Sequence, residues 1–164
     1  MPRTATPPEP GSSGALSGAE LHYRALESLY ASAPINRLFD SQLEIVGHGH
    51  ARIRFSVDER LHHAAGAAHG TIYFKMLDNA AFYAANSLVS DRFLLTTAFN
   101  LHFTRPIRGG SVVAEGRWVS GKRRVFIAEA HLADEDGEEI GRGTGTFLRS
   151  HIALSSLAGY QVRG

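Results

Sequence analysis

Cysteine is absent from this chain, which excludes disulfides, a cysteine nucleophile and thiolate metal sites. That fits a reducing compartment, and a cytoplasmic location is the expectation. No excess of one charge exists either: 17 Lys and Arg face 16 Asp and Glu, a formal charge of +1. Such balance gives no electrostatic case for a nucleic-acid partner or a membrane surface. No uninterrupted stretch approaches the ~20 apolar residues needed to span a bilayer. The N-terminus also lacks a basic segment followed by an apolar run. Nine histidines are present, among them His48, His50, His62 and His63, with His48 and His50 expected on one strand face. There is nevertheless no His-Glu-x-x-His helix and no compact ligand spacing, so no metal is expected. A Gly-x-Ser-x-Gly nucleophile elbow is missing too. Gly141, Gly143 and Gly145 alternate within a predicted strand, where they serve close packing rather than a dinucleotide loop.

What is present suits one globular domain. The chain has 164 residues and 43% hydrophobic content, enough for a sizeable core. Residues 1–15, rich in Pro, Gly, Ser and Thr, read as a flexible tail. The domain is expected over 16–150, followed by a patternless C-terminal tail over 151–164. Ser17 and Glu20 have capping-box spacing, so a helix should start there and end at Pro34. Leu43 and Ile45, then Ala51, Ile53, Phe55 and Val57, alternate with polar neighbours across Gly47 and Gly49, predicting a hairpin with one buried face. Four further strands are predicted near 94–105, 111–120, 122–133 and 139–149, separated by Gly109-Gly110, Gly121 and the turn ending at Gly137. Short turns favour an antiparallel sheet.

Between the second and third strands lies the alanine-rich stretch His63 to Ala81, which places one acid, Asp78, inside an apolar helix. A helix opening after His69-Gly70 points unpaired backbone N–H groups toward whatever precedes it, a place to hold an acyl oxygen. At ~100° per residue, Tyr73, Leu77, Ala80, Ala84 and Leu88 share one arc and should face the sheet. Lys75, Asn79 and Asn86 fall opposite. Asp78 borders a second stripe with Phe74, Ala81 and Ala85, whose small members would admit a second subunit.

The whole arrangement resembles the hotdog fold, and specifically the acyl-CoA thioesterases of the PaaI type (4-hydroxybenzoyl-CoA thioesterase-like), from Gln42 to Arg149. In that family five residues separate an asparagine from His-Gly-Gly, and an acid follows the histidine by nine. His69, Gly70 and Asp78 match, and Thr96 stands at the usual position of a Ser or Thr on the next strand. The runs Phe103-Thr104-Arg105-Pro106 and Gly143-Thr144-Gly145-Thr146-Phe147 resemble the family's later strands. His63 occupies the asparagine position and Thr71 replaces the second glycine. Imidazole offers one donor and one acceptor, so the role could persist or shift toward proton transfer.

The resemblance implies an α+β fold: a curved antiparallel sheet wrapped around one long central helix, with an N-terminal helix in addition. It also implies hydrolysis of an acyl-CoA ester, aryl or medium-chain, in a homodimer or homotetramer without any cofactor besides the coenzyme A of the substrate. Gly70 N–H would polarise the carbonyl. Asp78 of the other subunit would act as general base or nucleophile, Thr96 would support it, and His63 and His69 would flank the carbonyl. Phe74 and Phe82 are candidates for the acyl pocket. Arg105, Arg108, Lys122, Arg123 and Arg124 are candidates for the CoA phosphates. Two other activities fit the same residues: an enoyl-thioester hydratase or dehydratase using His63 or His69 with Asp78, and a non-catalytic acyl-CoA-binding module.

Overall fold

The computed structural model describes residues 15–162; residues 1–14 of the expected N-terminal tail lie outside them. Helix α1, Gly18–Ser32, begins with the capping box read from the sequence: Ser17 accepts from the Glu20 N–H while the Glu20 carboxylate accepts from the Ser17 N–H. Pro34 cannot continue it, and a short 3₁₀ turn, Pro34–Leu38, follows. Strands β1, Ser41–Gly47, and β2, His50–Val57, form the predicted hairpin, with Gly49 at φ 72° making the turn. His48 therefore sits in the turn and only His50 lies on a strand, where it bonds Glu115. The expected shared strand face does not exist.

Helix α2, Gly70–Asn86, comes next, then β3, Arg92–Phe103, β4, Gly110–Ser120, β5, Val125–Ala133, and β6, Glu139–Ala153. All five strand pairings are antiparallel, in the order β1-β2-β4-β5-β6-β3. After the helix, β3 crosses to the far edge and pairs with β6 rather than with its sequence neighbour β4.

Tyr73, Leu77, Ala80 and Ala84 are buried against the sheet, as the helical period requires. Leu88, assigned to the same arc, lies beyond the helix end and only partly packs on the core. Contact is closest at Gly116 of β4, where a Cβ would stand 2.0 Å from the Ala80 carbonyl oxygen. Glycine is what lets the helix backbone lie on the strand. Gly143 and Gly145 do the same for Phe99, whose ring atoms would be 2.4 and 2.6 Å from an added Cβ.

Helix α1 covers the other flank of α2, and this corrects one sequence reading. Asn86 is not on an open face; it is completely buried. Its side chain donates to the carbonyls of Val89 and Arg92 and accepts from the Leu94 N–H, fixing the passage from α2 into β3. His22 of α1 bonds the Asn86 carbonyl and the Tyr160 hydroxyl. The C-terminal segment accordingly packs on α1: β6 runs to Ala153, Leu154 is fully buried and Leu157 and Tyr160 reach the core. Patternless sequence here hides a docked segment, because three isolated apolar residues carry no period.

The two edges of the sheet differ. At β1, the Ile45 N–H donates to Glu27 and the Ile45 carbonyl accepts from Arg24, so α1 side chains occupy that edge. At β3 the only neighbouring strand among the described residues is β6, and Leu95, Thr96, Thr97 and Ala98 are exposed.

Candidate active site

The loop before α2 is tied down at several points. The His69 N–H donates to the Leu61 carbonyl and the Ala68 N–H to that of Ile107. Tyr73, one turn into the helix, donates its hydroxyl proton to the Arg105 carbonyl and accepts from the Ile107 N–H. The sequence reading treated Tyr73 as core only. Its hydroxyl in fact locks the 104–107 loop against the start of the helix.

His69 is the N-cap. Its Nδ1 accepts from the Thr71 N–H at 3.2 Å, so neutral His69 carries its proton on Nε2. Gly70, the first helical residue, has an N–H with no carbonyl four residues back to bond, and no other bond to it is formed among the described residues. Gly70 lines a cavity of about 410 Å³ together with His63, Tyr73, Phe103 and Arg105. His63 is exposed there and its Nδ1 accepts from the Ala65 N–H. The adjacent His62 is turned away, with a buried Nε2 that has no hydrogen-bond partner.

A second cavity, about 620 Å³, lies on the other side of the helix start. Asp78 opens into it, half-buried, and accepts a hydrogen bond from the Thr96 hydroxyl at 2.9 Å. Burial raises the Asp78 carboxyl above the usual range; the Thr96 bond and the charge of Lys75 oppose that rise without cancelling it. A carboxylate so placed is a better base than an exposed one. Phe74 and Phe82 form apolar walls of the same cavity, with Phe39 of the 3₁₀ turn and Phe93 of β3.

Lys75 also lines this cavity. Its Nζ donates to Asn36 Oδ1 at 2.6 Å and stands 4.9 Å from the Phe39 ring centre and 5.5 Å from that of Tyr30. Desolvation lowers its pKa to about 8 despite the nearby Asp78. The sequence placed Lys75 on an outward face, since the helical period gives no sign that α1 and the 3₁₀ turn roof it over.

Within one protomer these parts do not converge. Gly70 and Asp78 are eight residues apart along α2, about 12 Å at 1.5 Å per residue, and they open into different cavities. The cations divide likewise. Arg105 stands at the Gly70 cavity, bonded to Asp134 and the Glu139 carbonyl, and Arg108 is exposed close by in sequence. Lys122, Arg123 and Arg124 are exposed at the opposite end: Arg124 accepts from the Arg149 N–H, and Leu148, beside it, pairs with Leu95 at the start of β3. No group of three or more His, Asp or Glu side chains suited to a metal occurs among the described residues. No helix among them is long and apolar enough to cross a membrane.

An antiparallel six-stranded sheet wrapped on one long helix matches known proteins. The family model of the Thioesterase superfamily matches residues 65–140, from the loop before α2 to the start of β6. The E. coli PaaI protein, from the phenylacetic acid degradation operon, superposes with a TM-score of 0.76 over 84% of this chain and 99% of its own, at 16% identity. This chain has the hotdog fold. Another hotdog structure, a thioesterase family protein from Silicibacter pomeroyi, is 26% identical with a TM-score of 0.72, covering 80% of this chain and 98% of its own. In sequence, a candidate esterase of Saccharolobus solfataricus is 24% identical over 65% of this chain and 71% of its own length. On this hotdog, Gly70 is the first residue of the central helix and Thr96 lies on the edge strand.

Proposed function

We propose that this protein hydrolyses acyl-CoA thioesters as a homodimer, each active site combining the helix start of one copy with Asp78 and Thr96 of the other. One observation carries the reading: an unengaged Gly70 N–H and an acid raised by burial lie on one helix, about 12 Å apart, beside the one sheet edge left open. Antiparallel pairing of β3 with its symmetry mate would set the end of one β3 against the start of the other. Phe103, beside Gly70, would then approach the other copy's Leu95 and Thr96, and the two cavities would merge. The same pairing would carry Lys122 to Arg124 of one copy toward Arg105 of the other, giving the CoA phosphates cations from both sides.

In that site the thioester carbonyl accepts from the Gly70 N–H, with the helix dipole favouring the developing negative charge. Asp78 takes a proton from water, the water oxygen attacks the carbonyl carbon, and the oxyanion stays on the Gly70 N–H. Collapse breaks the C–S bond and the leaving thiolate recovers the proton. Attack by Asp78 itself, with the thiolate leaving, would give a mixed anhydride that water then opens at the aspartyl carbonyl. A single turnover in ¹⁸O-water separates the routes, because only the second labels Asp78.

The test is thiol release from a panel of acyl-CoA esters by the wild type and Asp78→Asn, followed by mixing of Asp78→Asn with a Gly70 variant. Each such heterodimer would hold one intact site and one doubly defective site. Random mixing of equal amounts gives heterodimers as half of all dimers, so about a quarter of wild-type activity should return. No recovery would remove the shared site. An unsaturated thioester formed without free thiol would replace hydrolysis by the hydratase reading.

A further inference from the structure

We propose that the acyl group accepted by the Asp78 cavity ends in a carboxylate, which Lys75 binds. This rests on the thioesterase reading of the same cavity and names its substrate class. Most of the cavity wall is aromatic or aliphatic, as for any acyl pocket, yet the flank toward the 3₁₀ turn is polar, with Asn36, Lys75 and Asn79 together. An apolar tail extending to that flank would leave the unused donors of the Lys75 ammonium facing hydrocarbon, at a cost.

Lys75 decides between kinds of polar tail. An ammonium has three donors, and only one is used here, on Asn36. Asn36 is held for the purpose: it is buried, and its own Nδ2 donates to the Tyr30 carbonyl at 2.7 Å. The ammonium belongs to none of the ion pairs among the described residues. Asp78 attracts it, but that carboxylate lies beyond ion-pair distance and is engaged by Thr96. The cation stands over the Phe39 and Tyr30 rings, yet it keeps two donors without a hydrogen-bond acceptor and has no carboxylate within ion-pair distance, which suits it to an anionic ligand group. A hydroxyl or phenol could accept from the ammonium but would bring no opposite charge to it.

The spacing suits a short chain. Residues three apart on a helix have Cβ atoms about 5–6 Å apart, so a carbonyl beside Asp78 and a carboxylate beside Lys75 can be joined by a few methylenes. Succinyl-, glutaryl- and adipyl-CoA are the matching probes. Each has a neutral partner of equal length in butanoyl-, pentanoyl- and hexanoyl-CoA.

The experiment measures kcat/KM for thiol release from these six esters with the wild type, Lys75→Met and Lys75→Arg, each shown to be folded by circular dichroism and thermal melting. A charge-assisted bond of about 1.5–3 kcal/mol corresponds to roughly 10–100-fold, so the wild type should prefer the best carboxylated ester over its neutral partner by at least tenfold. That ratio should collapse in Lys75→Met, whatever happens to absolute rates, and partly survive in Lys75→Arg. Equal rates in the wild type, or a preference that persists in Lys75→Met, would overturn the inference. If no ester is hydrolysed, the hydrolytic reading falls separately. The same ratio, taken then from calorimetric affinities of the six esters, decides this one, and equal affinities overturn it.

Discussion

Gly70→Pro removes one hydrogen-bond donor and little else, which makes it the sharpest probe of the helix start. Gly70 is the first residue of α2, the position where proline is best tolerated, because its missing N–H has no intrahelical partner there. The preceding residue already suits a proline: His69 sits at φ −63°, ψ 147°, the extended region that X-Pro sequences require. A Cβ at this site would meet Phe103, whose Cζ lies 3.3 Å away. That ring is more than half exposed and can move. Reduced unfolded-chain entropy of about 0.4–1 kcal/mol favours the variant. The melting temperature should therefore stay within about 4 °C of wild type. Activity should not: loss of a single oxyanion donor costs about 10²–10³ in kcat, or 2.7–4 kcal/mol. Gly70→Ala is the matched control, adding the same Cβ against Phe103 while keeping the N–H. Steady-state thiol release at saturating ester, with melting curves for both variants, gives the comparison. A folded Gly70→Pro enzyme with kcat within a few-fold of Gly70→Ala would refute the oxyanion role of the helix start.

Three further outcomes follow from the geometry. Asp78→Asn should lose about 10²–10⁴ in kcat yet melt higher than wild type. Burial raises the Asp78 pKa in the folded protein, so above that pKa ionisation favours the unfolded chain, and the penalty disappears only below the unfolded value; a lower melting temperature at pH 7 would contradict this. Thr96→Val removes a bond that holds the Asp78 pKa down, and the acidic limb of the kcat/KM profile should move to higher pH; an unmoved limb would separate Thr96 from the acid. Gly116→Ala forces a methyl into the Ala80 backbone and should cost about 3 kcal/mol or more, a fall of roughly 6–12 °C in melting temperature. A loss under 1 kcal/mol would mean that the helix can lift off β4.

The sheet strands, the capping box and the sheet-facing side of α2 were legible because each depends on a local period or a spacing of three residues. Strand order was not, since the turn between β3 and β4 carries no sign that two other strands separate them. The helical period gives an angle about the axis and nothing about how many layers cover it. For that reason Asn86 read as outward although α1 and the docked C-terminal segment enclose it, and Lys75 read as a surface charge although Asn36, Phe39 and Tyr30 surround its head. Asp78 and Thr96 stood out as an acid in an apolar helix and a spacing of eighteen residues, and they do meet. Tyr73 was hidden by its own burial. A tyrosine on the sheet-facing arc looks like any other large apolar residue until the loop its hydroxyl holds is seen.

The plugging of β1 by Arg24 and Glu27 bears on how the chain behaves in a crowded solution. A sheet with two free margins can recruit neighbours without limit, growing into a ribbon. Here the Ile45 peptide groups are already taken by α1, so strand addition has one remaining docking margin, at β3. Joining two such margins head to head exhausts them both. Under the proposed pairing, growth along the sheet would stop at a pair, and helix α1 would act as a terminator against fibre formation.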